Sequence, residues 1–403
     1  MFKKVFAAGL VFCLLAGSAP ALFKRKKEEK KTVETPLTWG TSIAVYDNRI
    51  PETIPYHEKY AGGSAPYIDY VFVATKTAAL FKEPDYFTES AKTGVVYPYM
   101  TKLKALEKFN YKSNDWYKVE DEQGNVGYVI GPETRKRIFR FEMALDKVKS
   151  LERFILNETA AGREVVRPHS YSPNPANVNA KTQKDKYGTS WEQNTPAKAG
   201  NETVYIPDSS IMSIFSQANG KATVRVASIP EDLVIDAKYI SRSPKIQKDF
   251  RKAVAVDIMN QNTMMFEKNA GGNWELISYV YSRTGIESNL GYETPKGNFI
   301  VPAIKYIMGY TDASGKQEGN ARYAMRFSGG GYMHGTPLAF DEEKNREFVM
   351  RKRNGYLGLY TGTRKCIRTT EEHARFMFEW MCAKPNKNQN EQTPTENIMF
   401  VIF

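Results

Sequence analysis

The residue types able to do covalent chemistry gather in the last third of the chain. A glycine run, Ser328-Gly329-Gly330-Gly331, leads into Tyr332-Met333-His334-Gly335-Thr336-Pro337, and a second segment, Thr363-Arg364-Lys365-Cys366-Ile367-Arg368, carries a cysteine. A thiol attacks as the thiolate, which a nearby base or cation must favour, so this histidine and this cysteine point to nucleophilic acyl transfer. The two segments are distant along the chain, and only a fold that turns back on itself can bring them together. The glycines either let a substrate backbone approach closely, for want of Cβ atoms, or turn a strand.

The elements that must position this pair are mostly strands. Val254, Val256 and Ile258 alternate with Ala255 and Asp257, Asn260-Gln261-Asn262 turns the chain toward Met264 and Phe266, and 275–283 continues the pattern. Thr294-Pro295-Lys296-Gly297 opens a further strand, and Asn397-Ile398-Met399-Phe400-Val401-Ile402 closes the series. Residues 245–403 therefore read as a mostly antiparallel sandwich. A helical stretch at 371–381 lies between Cys366 and Cys382 and would hold them apart, against the disulfide that two cysteines invite in an exported chain. His373 on that helix is expected to face solvent. The four histidines lack ligand-like spacing, so no metal site is expected.

Upstream, strand-like Tyr70-Val71-Phe72-Val73 precedes Trp116-Tyr117-Lys118-Val119, which turns at Gly124-Asn125 into Gly127-Tyr128-Val129-Ile130. These short strands predict a small β-barrel over 66–132. Apolar Ile138, Phe141, Leu145, Val148, Leu151 and Ile155 recur at steps of three and four, predicting an amphipathic helix over 135–157 with Arg137, Arg140, Lys147 and Arg153 on or near its wet side. The polar segment 159–201, with a solvated His169, reads as a linker or surface excursion. Residues 203–243 regain strand character and read as a second small β unit.

At 403 residues the chain has room for two or three domains. Its mean hydropathy of −0.51 excludes a multi-span membrane protein. Residues 1–21 place Lys3 and Lys4 before a short apolar run and end in Ala19-Pro20-Ala21, the small-x-small pattern of a secretory signal. Left uncleaved, that segment would be an anchor, and it is the one membrane contact expected. Residues 22–65 read as a basic flexible leader, and Lys24-Arg25-Lys26-Lys27 within it suits a tether or attraction to anionic envelope polymers. The net charge is +12 and the isoelectric point about 9.2. Export separates the chain from nucleic acid, which is not an expected partner.

Two resemblances follow from these motifs. The hairpin around Trp116-Tyr117-Lys118-Val119 and Gly127-Tyr128-Val129 resembles bacterial SH3-like wall-binding domains. Val254-Ala255-Val256-Asp257-Ile258-Met259-Asn260-Gln261, then Thr294-Pro295-Lys296-Gly297, His334-Gly335-Thr336-Pro337 and Cys366-Ile367-Arg368, in that order over 245–403, resemble the YkuD-type L,D-transpeptidase catalytic domain. That resemblance implies a mainly β fold, a transpeptidase-like sandwich preceded by the SH3-like barrel and connecting helix. It implies action on peptidoglycan stem peptides in the periplasm or cell wall, without metal or organic cofactor. Cys366 matches the nucleophile, His334 its base, Gly335 the glycine beside it, Thr363 the family's serine or threonine, and Arg368 the arginine after the cysteine.

The chain departs from the family in carrying Arg364-Lys365 where His-Gly precedes the cysteine, and in a charged insertion over 338–362 that lengthens the interval between histidine and cysteine. Two cations beside a thiol favour the thiolate, whereas a non-glycine residue at 365 costs on the order of 1 kcal/mol if positive φ is needed there. The insertion reads as a surface elaboration or a lid. The function implied is an acyl-enzyme on Cys366 passed to an amine, with water as acceptor making a carboxypeptidase. The alternative is a wall-binding scaffold whose transpeptidase-like domain has lost turnover.

Overall fold

Alternation of apolar and polar residues decides most of this architecture, because a strand with period two buries one face and wets the other. The computed structural model describes residues 39–168, 183–246, 248–288, 291–312, 314–382, 386 and 389–403. The expected signal segment, the basic run of the leader, and His169 with most of the expected linker lie outside the described residues. The chain is mainly β, and its described strands form sheets of eight, six, five and five strands.

The eight-stranded sheet runs from Thr41–Val45 to Thr134–Ile138. Its first strand falls where a leader without regular structure was expected, and it is held by antiparallel pairing with Lys102–Tyr111. The expected hairpin joins Asn114–Glu120 to Val126–Ile130, but through residues 121–125 rather than a two-residue turn. Asp121 widens it: its Oδ1 accepts the amides of Gln123 at 3.0 Å and Asn125 at 2.8 Å.

The amphipathic helix spans Phe141–Ala160 and buries Phe141, Leu145, Val148, Leu151 and Ile155. It begins later than 135 because Thr134–Ile138 is claimed by an antiparallel ladder with Asp69–Val73. Two arginines expected on its wet side are instead engaged. Arg140 forks onto the buried Asp257 at 2.6 and 2.8 Å, and Arg137 donates to the Leu359 carbonyl at 2.9 Å.

The six-stranded sheet takes in Glu164–Val166 and Thr195–Ala199, so both ends of the segment expected as a linker are built into it. The last two sheets face each other. One contains Lys252–Asp257 paired in parallel with Ile398–Ile402; the other contains Gln317–Ser328, Gly331–His334 and Ile367–Arg368. Between them lie Val254, Phe299, Phe327, Met333, Ile367 and Phe400, joined by Met377 and Phe378 from the helix Glu371–Met381. Phe327 and Phe400 stack at 5.2 Å across this layer, and each such side chain contributes roughly 1.5–3 kcal/mol by leaving water. Among the described residues no helix is long and apolar enough to cross a membrane.

Candidate active site

Strand geometry brings the two motifs together. Gly331–His334 pairs in parallel with Ile367–Arg368, setting Met333 beside Ile367 and His334 beside Arg368. Met333 and Ile367 point into the core, so alternation sends His334, Arg368 and Cys366 to the opposite face. The glycine run turns the strand: Ser328 pairs with Gly331, and Gly330 takes φ +65°, where a Cβ would stand 2.7 Å from the Gln193 side-chain oxygen.

That turn presents two carbonyls to the cysteine segment. Cys366 Sγ lies 3.9 Å from the Gly330 carbonyl, and the Lys365 ammonium donates to the Gly329 carbonyl. On the other side Gly285 and Thr363 form a bridge, as do Arg283 and Arg368. Thr294 Oγ1 accepts the Gly285 amide and donates to the Lys365 carbonyl, both at 2.7 Å. Thr363 Oγ1 donates to the Cys366 carbonyl. Among the described residues Cys366 and Cys382 are free thiols, and Cys366 is partly exposed whereas Cys382 is buried.

His334 is buried, and its Nδ1 lies 2.6 Å from the Gly335 carbonyl. A carbonyl only accepts, so Nδ1 carries the proton and Nε2 keeps its lone pair for a base's work. Gly335 is needed for a close approach, since a Cβ would sit 3.0 Å from the Glu371 Cα at the start of the helix. Burial pushes the imidazole down to about 4, against the Gly335 bond and with help from the Arg368 charge. Burial pushes the Cys366 thiol up, opposed by the Tyr332 amide and the Lys365 charge and assisted by Glu192. The resting pair is therefore thiol and neutral imidazole. Among the described residues no hydrogen bond joins Sγ to the imidazole.

The two cations expected to favour a thiolate do little of that. Arg364 donates to the Thr311 carbonyl at 2.8 Å. Lys365 is buried, and its ammonium is paired with Glu192, also buried. Lys365 takes a positive φ, +100°, the case in which a non-glycine residue at this position carries a cost. Glu192 went unnoticed in the sequence because it lies in a polar stretch with no periodicity. Arg368 is buried with a hydrogen bond of 2.7 Å to the Arg353 carbonyl, and no carboxylate pairs with it among the described residues.

Cys366 opens on a cavity of about 1010 Å³, walled also by Tyr332, Gly330, Lys305, Glu287 and Arg364. Its mixed charges and peptide-sized volume suit a polar, extended ligand. The inserted segment 338–362 opens with the short strand Leu338–Ala339, paired with Gln317–Ser328, and continues through a 3-10 turn, Phe340–Asn345, into the helix Arg346–Asn354; it reaches the site through the Arg353 carbonyl. His373, expected at the surface, is fully buried, with Nε2 3.0 Å from Ser278 Oγ and the Tyr60 ring edge-on at 4.8 Å.

No family model and no curated protein matches the chain. Solved structures with a likeness include an L,D-transpeptidase from Mycobacterium tuberculosis H37Rv, at 17% identity over 60% of this chain and 90% of that one, with a TM-score of 0.26. An L,D-transpeptidase from Mycobacterium smegmatis is similar at 12% identity, over 59% of this chain and 89% of that one, with a TM-score of 0.27. A fused Zn-dependent amidase/peptidase/peptidoglycan-binding protein from Clostridium acetobutylicum ATCC 824 is similar at 14% identity, over 38% of this chain and 52% of that one, with a TM-score of 0.24.

Proposed function

We propose that the chain is a cysteine-dependent L,D-transpeptidase acting on peptidoglycan stem peptides in the periplasm or cell wall. The observation that carries this reading is the parallel pairing of the strand that ends at His334 with the strand that follows Cys366, with the sulfur open to a peptide-sized cavity and Nδ1 of the imidazole tied to Gly335. In the first step His334 Nε2 takes the thiol proton as Cys366 attacks the carbonyl between a diamino acid and the terminal D-alanine of a tetrapeptide. The C–S bond forms, the C–N bond breaks, and the imidazolium returns the proton to the departing D-alanine amine. In the second, an amine of a neighbouring stem attacks the thioester carbonyl; its proton passes through His334 Nε2 to the departing sulfur as the C–N bond forms and the C–S bond breaks, leaving a peptide cross-link, and water in its place gives a shortened stem.

Thr294 and Thr363 brace the backbone on either side of the sulfur, and the Lys365–Glu192 pair fixes the residue before it. The strands of 66–132 serve as an SH3-like wall-binding unit in this reading, and the leader carries the chain out of the cytoplasm. Muropeptide analysis of walls incubated with the wild type and with Cys366→Ala tests it. New cross-links or shortened stems that require the thiol are expected; identical products from both proteins would leave a wall-binding scaffold.

A further inference from the structure

Beside the catalytic pair, three arginines lie close together. Arg368 is buried next to Arg283 and Arg353, whose charges together with burial press its guanidinium down to about 9. Arg353 alone has an acid, Glu342 at 2.7 Å. Among the described residues neither Arg283 nor Arg368 is paired with a carboxylate, and the buried Nε atoms of both have no hydrogen-bond partner. Arg283 lies over the Tyr356 ring at 5.0 Å and against Gly362, where any side chain would overlap its guanidinium. Confined cations with unmet donors are costly unless an anion completes the site.

We propose that Arg283, Arg353 and Arg368 form a carboxylate-binding pocket that takes the free C-terminal carboxylate of the donor peptide. The position favours a terminal carboxylate over a more distant one. Cys366 and Arg368 stand two residues apart on one strand face, roughly 7 Å along the chain. A carboxylate one residue beyond the scissile carbonyl, plus one hydrogen bond, spans about the same length. Arg353 comes from the inserted segment, so the insertion supplies part of the pocket rather than decorating the surface. This inference rests on the transpeptidase reading for the identity of the peptide; the anion site itself stands on the arginines.

The test compares a D-alanine-terminated tetrapeptide with its C-terminal amide, binding to the full chain carrying Cys366→Ala so that turnover does not interfere. The free acid is expected to bind at least about tenfold more tightly than the amide, as charge-assisted guanidinium bonds require. Arg283→Gln and Arg353→Gln should each reduce that preference, costing the free acid more affinity than the amide. Equal affinity of acid and amide overturns the pocket and needs no variant to be seen. Acylation of the wild type by a carbapenem-type probe separates the two ideas. Acylation with no preference for the acid removes the pocket and keeps the nucleophile; preference without acylation does the reverse.

Discussion

The ammonium of Lys365 meets the carboxylate of Glu192 across 173 positions of chain, and both side chains are buried. This pair explains how a lysine occupies a position that calls for positive φ. The backbone conformation at +100° costs a non-glycine residue about 1 kcal/mol, and the lysine side chain offsets that cost by anchoring the cysteine segment to Glu192.

Replacing Lys365 by glycine therefore has opposing effects that can be ranked. Lys365→Gly relieves about 1 kcal/mol of backbone strain. It also strands the Glu192 carboxylate without a partner, at about 3–5 kcal/mol. A net loss of roughly 2–4 kcal/mol is expected in urea unfolding, with Glu192→Gln in the same chain recovering most of it. A Lys365→Gly protein more stable than the wild type would mean that strain outweighs the ion pair.

The resting thiol predicts how Cys366 reacts with a small alkylating agent. Burial holds it protonated, so the rate of iodoacetamide labelling should climb steadily with pH and show no plateau below pH 9.0. Glu192→Gln removes a negative charge that disfavours the thiolate and should speed labelling several-fold at pH 8. Mass spectrometry of the labelled peptide reports both effects. A plateau near neutrality would indicate a preformed thiolate instead.

Acid stability follows from two buried histidines. Burial pushes His334 from 6.5 down to about 4 and His373 from 6.5 to about 3, so each is neutral in the folded chain at pH 5. The unfolded chain binds those protons near pH 6.5 and the folded chain does not, so stability is full above that value and is lost as pH falls toward 4. On the order of 1–3 kcal/mol per histidine should disappear between pH 7 and pH 4.5 in urea titrations. His373→Gln should lose less over that interval than the wild type. A flat profile would contradict the burial of both rings.

What could be read from the sequence divides along physical lines. His334 and Cys366 stand out as candidates because few residue types do such chemistry and each stands beside glycines or cations. The helix interior, Leu145 through Ile155, was legible from its period, but its start was not. Pairing of Thr134–Ile138 with Asp69–Val73 is non-local and overrides a continuous apolar pattern. His373 was misplaced because Glu371, Glu372 and Arg375 surround it in sequence, whereas Ser278 and Tyr60 enclose it in space. Glu192 left no trace, since its burial depends on a lysine far along the chain. The same holds for Arg283, which meets Arg368 only because the strands bridge there.

If Cys366, served by His334, is the acyl acceptor proposed above, a carbapenem-type probe should acylate it, and intact-mass spectrometry reads that adduct. One covalent adduct is expected on the wild type and on Cys382→Ala, none on Cys366→Ala, and formation slowed by about 100-fold or more on His334→Ala. A folded wild type that gains no adduct, or gains it on Cys382, would contradict the account.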